Sequence, residues 1–431
     1  MKRKTFPNQL EVIYEKSIHS LPISSIQIVV KMGSIQEPND LRGVCHLIEH
    51  MCFKGTHLHP NANSIFHVSP GAEFNAYTDK MLTCYYIKCL NQNVSACIEV
   101  LSDMIFHSFF HPVDFKRERN VVVEENLLDA DDLDDTLELE TDSLIFPNHP
   151  YGYAIDCIKY HRPKLLSIKK VVEFYKLHYI PRNIIVSIHS SLSFETVLSK
   201  LENSYFYSKV NTPDSFPLIP PIVNKDEFSY KLIHKNDTLT TYISVGFLVC
   251  SYDSEDKFPL DIFKTVLSGG MNSYLFSILR EQNGLTYHSD IETNYYKTAG
   301  SFVMYTAENY RKVITNGNKK GVLPIVMNVF SHFYKNGITL QQLKTAKQIM
   351  KENLIRDLED VNMLAEYNAI ELLHNNAIIP YHSLFQTKYN PLTIDDVNRT
   401  IRKYFTINNM NICLVGQHLP SKKIVEKYAF I

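Results

Sequence analysis

The sequence predicts an α+β protein of two similar domains, each a mostly antiparallel β-sheet packed with helices. Three observations predict it. At 431 residues the chain is too long for one compact domain. The stretch NTPDSFPLIPPIVNKDEF, residues 211–228, carries four prolines and no helical period, reads as an extended linker, and splits the chain into halves of similar size. A weak repeat crosses that divide at a constant offset of 226: Leu166-Ser167-Ile168-x-x-Val171 matches Leu392-Thr393-Ile394-x-x-Val397, Tyr179 matches Phe405, and Asn183 matches Asn409. Each copy opens with a helix N-cap, Ser167 or Thr393, and runs through about three turns into an apolar strand, IIVSI or NICLV. The expected partition is a first domain over 1–210, the linker 211–228, and a second domain of the same kind over 229–431.

The elements of the first half follow in order. SIQIVVKMGS (25–34) is apolar and β-branched, hence a strand. Over 43–54, Val44, Leu47, Ile48 and Met51 recur at three- and four-residue spacing, the mark of an amphipathic helix. MLTCYYIKCL (81–90) reads as a strand, and NVSACIEVLSDMIFHSFF (93–110) as a long amphipathic helix. VDFKRERNVVVEENLLDADD (113–132) reads as another helix. Strands alternating with helices in this way define sheets with packed helices.

Composition narrows the class. The chain is 45% hydrophobic and 21% charged with a formal net charge of −2, so nothing global points to nucleic acid or an anionic membrane as partner. No apolar run approaches the roughly 18–20 residues that cross a bilayer. The basic start, MKRKTFPNQLEVIYEK, has no apolar core behind it and carries two early glutamates, so it reads as neither a secretory signal nor a mitochondrial presequence. Eight cysteines (45, 52, 84, 89, 97, 157, 250, 413) form no C-x-x-C and are expected as reduced core thiols. A cytoplasmic location is the expectation, with an organelle as the alternative.

The chemistry concentrates in GVCHLIEHMCFKG (43–55). On a helix, His46, Glu49 and His50 share one face. Two histidines one turn apart can aim ring nitrogens at one ion, and the glutamate between them can move the proton of a water. That set suits metal-assisted hydrolysis, zinc above all. The order H-x-x-E-H is that of the inverzincins. A random chain of this length would contain it with a probability on the order of a few per cent, so alone it does not decide the matter. A catalytic zinc usually keeps three protein ligands. Glu125 stands 75 residues after His50, and Glu118, two helical turns before it, lies on the same face, with Val121 and Val122 giving that helix an apolar side. Taken alone, Glu125 would read as an ordinary acid on a charged helix.

Together these motifs resemble the pitrilysin/insulysin superfamily of zinc metallopeptidases, in the branch of mitochondrial processing peptidase and its bacterial relatives. The resemblance runs nearly end to end. It rests on Gly33-Ser34-x-x-Glu37, Gly43-x-x-His46-x-x-Glu49-His50, Phe53-Lys54-Gly55-Thr56, Asn75-Ala76-Tyr77-Thr78, and Glu118 with Glu125. The resemblance implies that His46, His50 and Glu125 bind one Zn2+ per chain, that Glu49 is the general base, and that Glu118 supports the site. It implies that Asn75 and Ala76 lie on an edge strand whose backbone pairs with an extended substrate. In the second half, Arg280 and Tyr287 match a pair that holds substrate and the developing oxyanion, with Asn283-Gly284 as a helix stop between them. The expected activity is zinc-dependent endoproteolysis of extended or unfolded peptides inside a closed chamber. A chain of two domains carrying both motifs implies a homodimer with shared sites, or else a second family chain as partner. The alternative function is a non-catalytic structural or docking subunit. Such members typically lose the metal residues, and His46, Glu49, His50, Glu118 and Glu125 are all present here.

Departures from the pattern are Tyr274 where arginine is frequent, the stretch at Asp156 where a glycine is frequent, Ser190-Ser191 where Gly-Asp is frequent, and Cys45 beside a ligand where a small residue is common. From Glu124 to Asp142 there are ten acids and no base. A solvated helix face is the plain expectation, and an acidic wall for basic substrates, with Asp135 in it, is the functional one. His57 and His59 are expected as loop residues, and Gly269-Gly270 as a tight turn without phosphate chemistry.

Overall fold

The computed structural model describes residues 1–19, 21–155, 166–211, 219–222, 227–286, 288–317, 319–375 and 377–429. Asp156, Cys157, Tyr287 and much of the expected linker (212–218 and 223–226) lie outside the described residues.

Two sheets form. The first comprises β1 (Lys2–Thr5), β2 (Glu11–Lys16), β3 (Ile23–Val30), β4 (Glu73–Thr78), β5 (Thr83–Leu90) and β6 (Ile184–Ser190), in the order β1-β2-β6-β3-β5-β4. The second comprises β7 (Ser229–His234), β8 (Thr240–Val249), β9 (Ser289–Tyr295), β10 (Gly300–Asn309) and β11 (Met410–Gly416), in the order β7-β11-β8-β10-β9. Without β1 the orders coincide. Each sheet is antiparallel except for one pair, β2 with β6 and β7 with β11. The interior strands β6 and β11 are buried throughout, hence their largely apolar sequences, IIVSIHS and MNICLVG. Both domains are thus of one α+β type, a mixed and mostly antiparallel sheet with packed helices.

The predicted strand 25–34 is instead Ile23–Val30. Beyond it Gly33 and Ser34 leave the ladder, and the amides of Ser34 and Ile35 donate to the carbonyls of Asp79 and Lys80. Helices of the first half include α1 (Val44–Cys52), α2 (Val94–His107), α3 (Pro112–Asp131), α4 (Leu133–Ile145) and α5 (Ile168–His178). Those of the second include α6 (Lys257–Ser268), α7 (Val322–Asn336), α8 (Leu340–Asp357), α9 (Val361–His374) and α10 (Ile394–Tyr404). The offset of 226 holds residue for residue where the sequence repeat was found: α5 and β6 map onto α10 and β11. Ser167 and Thr393 cap their helices by accepting from the backbone amides of Lys170 and Asp396. The matched asparagines share one task. Asn183 Nδ2 donates to the His178 carbonyl at 3.0 Å, and Asn409 Nδ2 to the Tyr404 carbonyl at 2.6 Å, each closing the turn between helix and strand.

The two compact units are not contiguous in sequence. The first joins Met1–Leu128, Ala154–Ile219 and Ile355–His382; the second joins Asp129–Tyr153, Pro220–Leu354 and Ser383–Ile431. Each half of the chain therefore lends one helix to the other unit. In the first unit, α1, α2 and α5 bury one sheet face in the main apolar core, with Ile26, Ile28, Leu47, Met51, Tyr85 and Val171 among its members. The borrowed α9 covers the other face through a mixed seam: Ala369 and Leu372 pack on Ile13, Val29 and Ile185, while Asn362 accepts from Ser25 and Gln27. In the second unit, the borrowed α4 lies on β8 and β11, with Leu137 against Cys413 and Val415. Gly246 of β8 makes this approach feasible, because a Cβ there would stand 2.7 Å from Ile145 Cδ1. Within the acidic run, Glu140 and Asp142 are buried and Glu140 pairs with Lys231, whereas Asp131, Asp132, Asp134 and Asp135 are exposed. The run is therefore only partly a solvated face.

Candidate metal centre

The nine residues of α1 divide cleanly. Val44, Leu47, Ile48 and Met51 are buried in the core, and His46, Glu49 and His50 occupy the other side. The helix begins at Gly43, whose φ of +84° is the left-handed backbone that glycine adopts without cost. Glu37, from the G-S-x-x-E segment, caps that start from a distance. Its Oε2 accepts from the Gly43 amide at 2.7 Å and its Oε1 from the Cys45 amide at 2.8 Å. Burial pushes its carboxyl up to about 8, against the two amide donors.

Helix α3 carries the acids. His46, His50 and Glu125 each offer a ligand atom, and these atoms lie within 4.8 Å of one another, the one such cluster among the described residues. His50 Nε2 stands 3.5 Å from Glu125 Oε2, while Nδ1 of the same ring stands 3.4 Å from Glu118 Oε2. Glu118 thus holds one ring nitrogen and leaves the other toward Glu125, the usual division of labour around a metal-binding histidine. Lys54 Nζ reaches the same Glu118 oxygen at 2.9 Å, and Arg117 Nε its other oxygen at 3.4 Å. Burial first, then the neighbouring His46, holds His50 below the ordinary imidazole value despite Glu125 and Glu118, favouring the neutral ring a metal requires. Two imidazoles and a carboxylate form a donor set that suits zinc. Glu49 is buried beside them and accepts a hydrogen bond from Thr78 Oγ1 at 2.7 Å.

Asn75 and Ala76 lie on β4, which ends the sheet and pairs with β5 alone. Asn75 is exposed, and its Oδ1 accepts from the Ala76 amide at 2.9 Å. Arg280 is exposed near the end of a π-helical segment, Phe276–Glu281, with its guanidinium 5.1 Å from the Phe276 ring centre. Gly284 has a φ of +59° and its amide closes on the Arg280 carbonyl, the helix stop read from Asn283-Gly284. Neither His57 nor His59 joins the metal cluster. The motif residues given no role in the sequence reading, Glu37, Lys54 and Thr78, all touch the helices or side chains of this centre. Their presence in short dense motifs was the available signal.

Two family models match the chain: insulinase (peptidase family M16) over residues 12–157, and the peptidase M16 inactive domain over 166–350. The chain belongs to the M16 peptidase family. In the second half, α6 follows the strand equivalent to the one preceding α1, and its sequence KFPLDIFKTVLS has neither histidine nor glutamate. YmxG of Bacillus subtilis, named an uncharacterized zinc protease, is 27% identical over 419 residues, 94% of this chain and 96% of that one. A Rickettsia felis protein of the same description is 25% identical over 389 residues, 89% of this chain and 90% of that one. Among solved structures, a protease from Helicobacter pylori aligns with a TM-score of 0.86 at 21% identity, over 96% of this chain and 99% of that one. The periplasmic protease PqqL of Escherichia coli aligns with a TM-score of 0.81 at 14% identity, over 99% of this chain but 50% of that one. At these identities the structural likeness is one of fold. Among the described residues, no helix is long and apolar enough to cross a membrane.

Proposed function

We propose that the protein is a zinc-dependent metalloendopeptidase that hydrolyses extended or unfolded peptides. The observation that carries this reading is the convergence of His46, His50 and Glu125 to within 4.8 Å, with Glu49 on the same turn of α1. These three residues would hold one zinc per chain. When bound, zinc polarises a carbonyl and makes hydroxide available near neutral pH. Glu49 takes a proton from the attacking water and returns it to the leaving amine. Glu118 orients His50. The free edge of β4 at Asn75 and Ala76 pairs with substrate backbone, which tolerates many side chains because the main chain supplies the hydrogen bonds. Arg280 and Tyr287 bind substrate from the second domain.

We further propose a closed chamber completed by a second copy of the chain. The presence of both the metal residues and Arg280 in one chain fits a chamber built from two copies. The seven described cysteines are all buried and none is in a disulfide, which favours a reducing compartment such as the cytoplasm. The test is zinc content measured beside cleavage of a quenched fluorescent peptide, for the wild type and Glu49→Gln. The reading expects zinc in both, and turnover about 100-fold lower in the variant. Equal cleavage by the two would refute the assigned base. Stoichiometric zinc with no cleavage of any unfolded peptide would favour the structural or docking subunit.

A further inference from the structure

We infer that Thr78 is a positioning residue for the general base: its hydroxyl holds the Glu49 carboxylate through Oε2. This inference rests on the proposed peptidase reading, in which Glu49 moves the proton.

Four observations carry it. Thr78 Oγ1 donates to Glu49 Oε2 at 2.7 Å, a normal hydrogen-bond distance for a hydroxyl on a carboxylate. Thr78 is the last residue of β4, where it pairs with Thr83 of β5, and the next amide, of Asp79, donates to the Leu82 carbonyl at 2.8 Å. The backbone that carries the hydroxyl is therefore fixed on both sides. A β-branched side chain has few χ1 choices, so the hydroxyl direction is fixed as well. Glutamate has three rotatable bonds and holds no direction by itself, yet a base must meet its proton at hydrogen-bond distance. With Oε2 engaged by a hydroxyl on a fixed backbone, rotation of the carboxylate is restrained.

The arrangement joins two functions on one strand. Asn75 and Ala76, at the proposed peptide-pairing edge, stand three and two residues before Thr78 on β4. Backbone pairing with substrate and orientation of the base then share a single rigid element. A substrate seated in register on β4 meets a base whose placement is set by the end of the same strand.

Thr78→Val removes the hydroxyl and keeps the shape; Thr78→Ser restores the hydroxyl. Each is made in the full chain, alone and with Glu49→Gln. The expected result for Thr78→Val is wild-type zinc content, KM within about twofold, and kcat lower by about 10-fold, the scale of a misplaced catalytic group. Thr78→Ser should recover most of that loss. In the Glu49→Gln background Thr78→Val should cost no more than about twofold, because the group it orients is already disabled. A crystal structure of metal-free Thr78→Val should show the Glu49 carboxylate rotated away from its wild-type position. Full activity in Thr78→Val, or an equal loss in both backgrounds, overturns the inference. If Glu49→Gln itself cleaves at the wild-type rate, the assignment of the base fails instead. The crystal structure then judges Thr78 alone, and an unmoved Glu49 carboxylate overturns its role.

Discussion

Glu118 should govern zinc affinity without touching zinc. Its side chain is only 5% exposed, and one oxygen serves two partners, His50 Nδ1 at 3.4 Å and Lys54 Nζ at 2.9 Å. Hydrogen bonds to charged groups contribute about 1.5–3 kcal/mol, roughly twice a neutral one. Glu118→Gln keeps an oxygen of similar placement and loses the charge, so about 1 kcal/mol of support for His50 should go. Glu118→Ala loses the whole contact and leaves Lys54 facing a cavity, so about 2–3 kcal/mol should go. At about 1.4 kcal/mol per tenfold, these correspond to zinc binding weaker by about 5-fold for Glu118→Gln and by about 30- to 140-fold for Glu118→Ala. The range agrees with the 10- to 100-fold typical when a histidine ligand loses its outer partner. The assay is competition between the full chain and a chromophoric chelator, with urea unfolding of the metal-free protein as control. Lys54 is 24% exposed and water will stand in for part of its loss, so the stability penalty should be smaller than a fully buried pair would give. If Glu118→Ala binds zinc within twofold of wild type, or Glu118→Gln binds worse than Glu118→Ala, the orienting role is refuted.

Other expectations follow from the same geometry. Glu125→Gln should lose most bound zinc after dialysis, because a neutral amide is a poor ligand; atomic absorption showing full occupancy would remove Glu125 from the site. Metal-free protein should lose stability as the pH falls below about 6.5, where the unfolded chain's histidine takes a proton that His50, held below its ordinary value, takes only at lower pH. That stability is present above pH 6.5 and disappears as the pH drops through the folded value; His50→Gln should flatten this limb of the urea midpoint against pH, and an unchanged limb would contradict the burial argument. Exchange of subunits between Glu49→Gln and Arg280→Ala proteins should restore activity above the parents' mean if sites are shared in a homodimer; no rise with exchange verified would mean sites built otherwise.

What could be read from the sequence was local, and what could not was long-range. The spacing of Val44, Leu47, Ile48 and Met51 marks α1 because a helix buries every third or fourth residue, and the structure buries all four. The repeat at 226 survives because Asn183 and Asn409 close identical turns by contacts five residues apart in sequence. The exchange of α4 and α9 between units leaves no such mark. Periodicity says that a helix has an apolar side but not which sheet receives it, and the acids of α4 disguise a buried side where Glu140 meets Lys231. The metal centre mixes both cases. His46, Glu49 and His50 sit in one helix and can be read together, whereas Glu118 and Glu125 reach them only because α3 packs beside α1. Glu37, Lys54 and Thr78 belong to the same motifs, yet single spacings say nothing of what they do. Each acts across the fold: Glu37 on the amides that start α1, Lys54 on the acid behind His50, Thr78 on the base. The pattern around H-x-x-E-H therefore contains two kinds of residue. Some would meet the metal or the substrate in the proposed reading, and the rest fix the backbone and side chains of those that would. Only coordinates separate the two, because a spacing records where a residue stands and not what it touches.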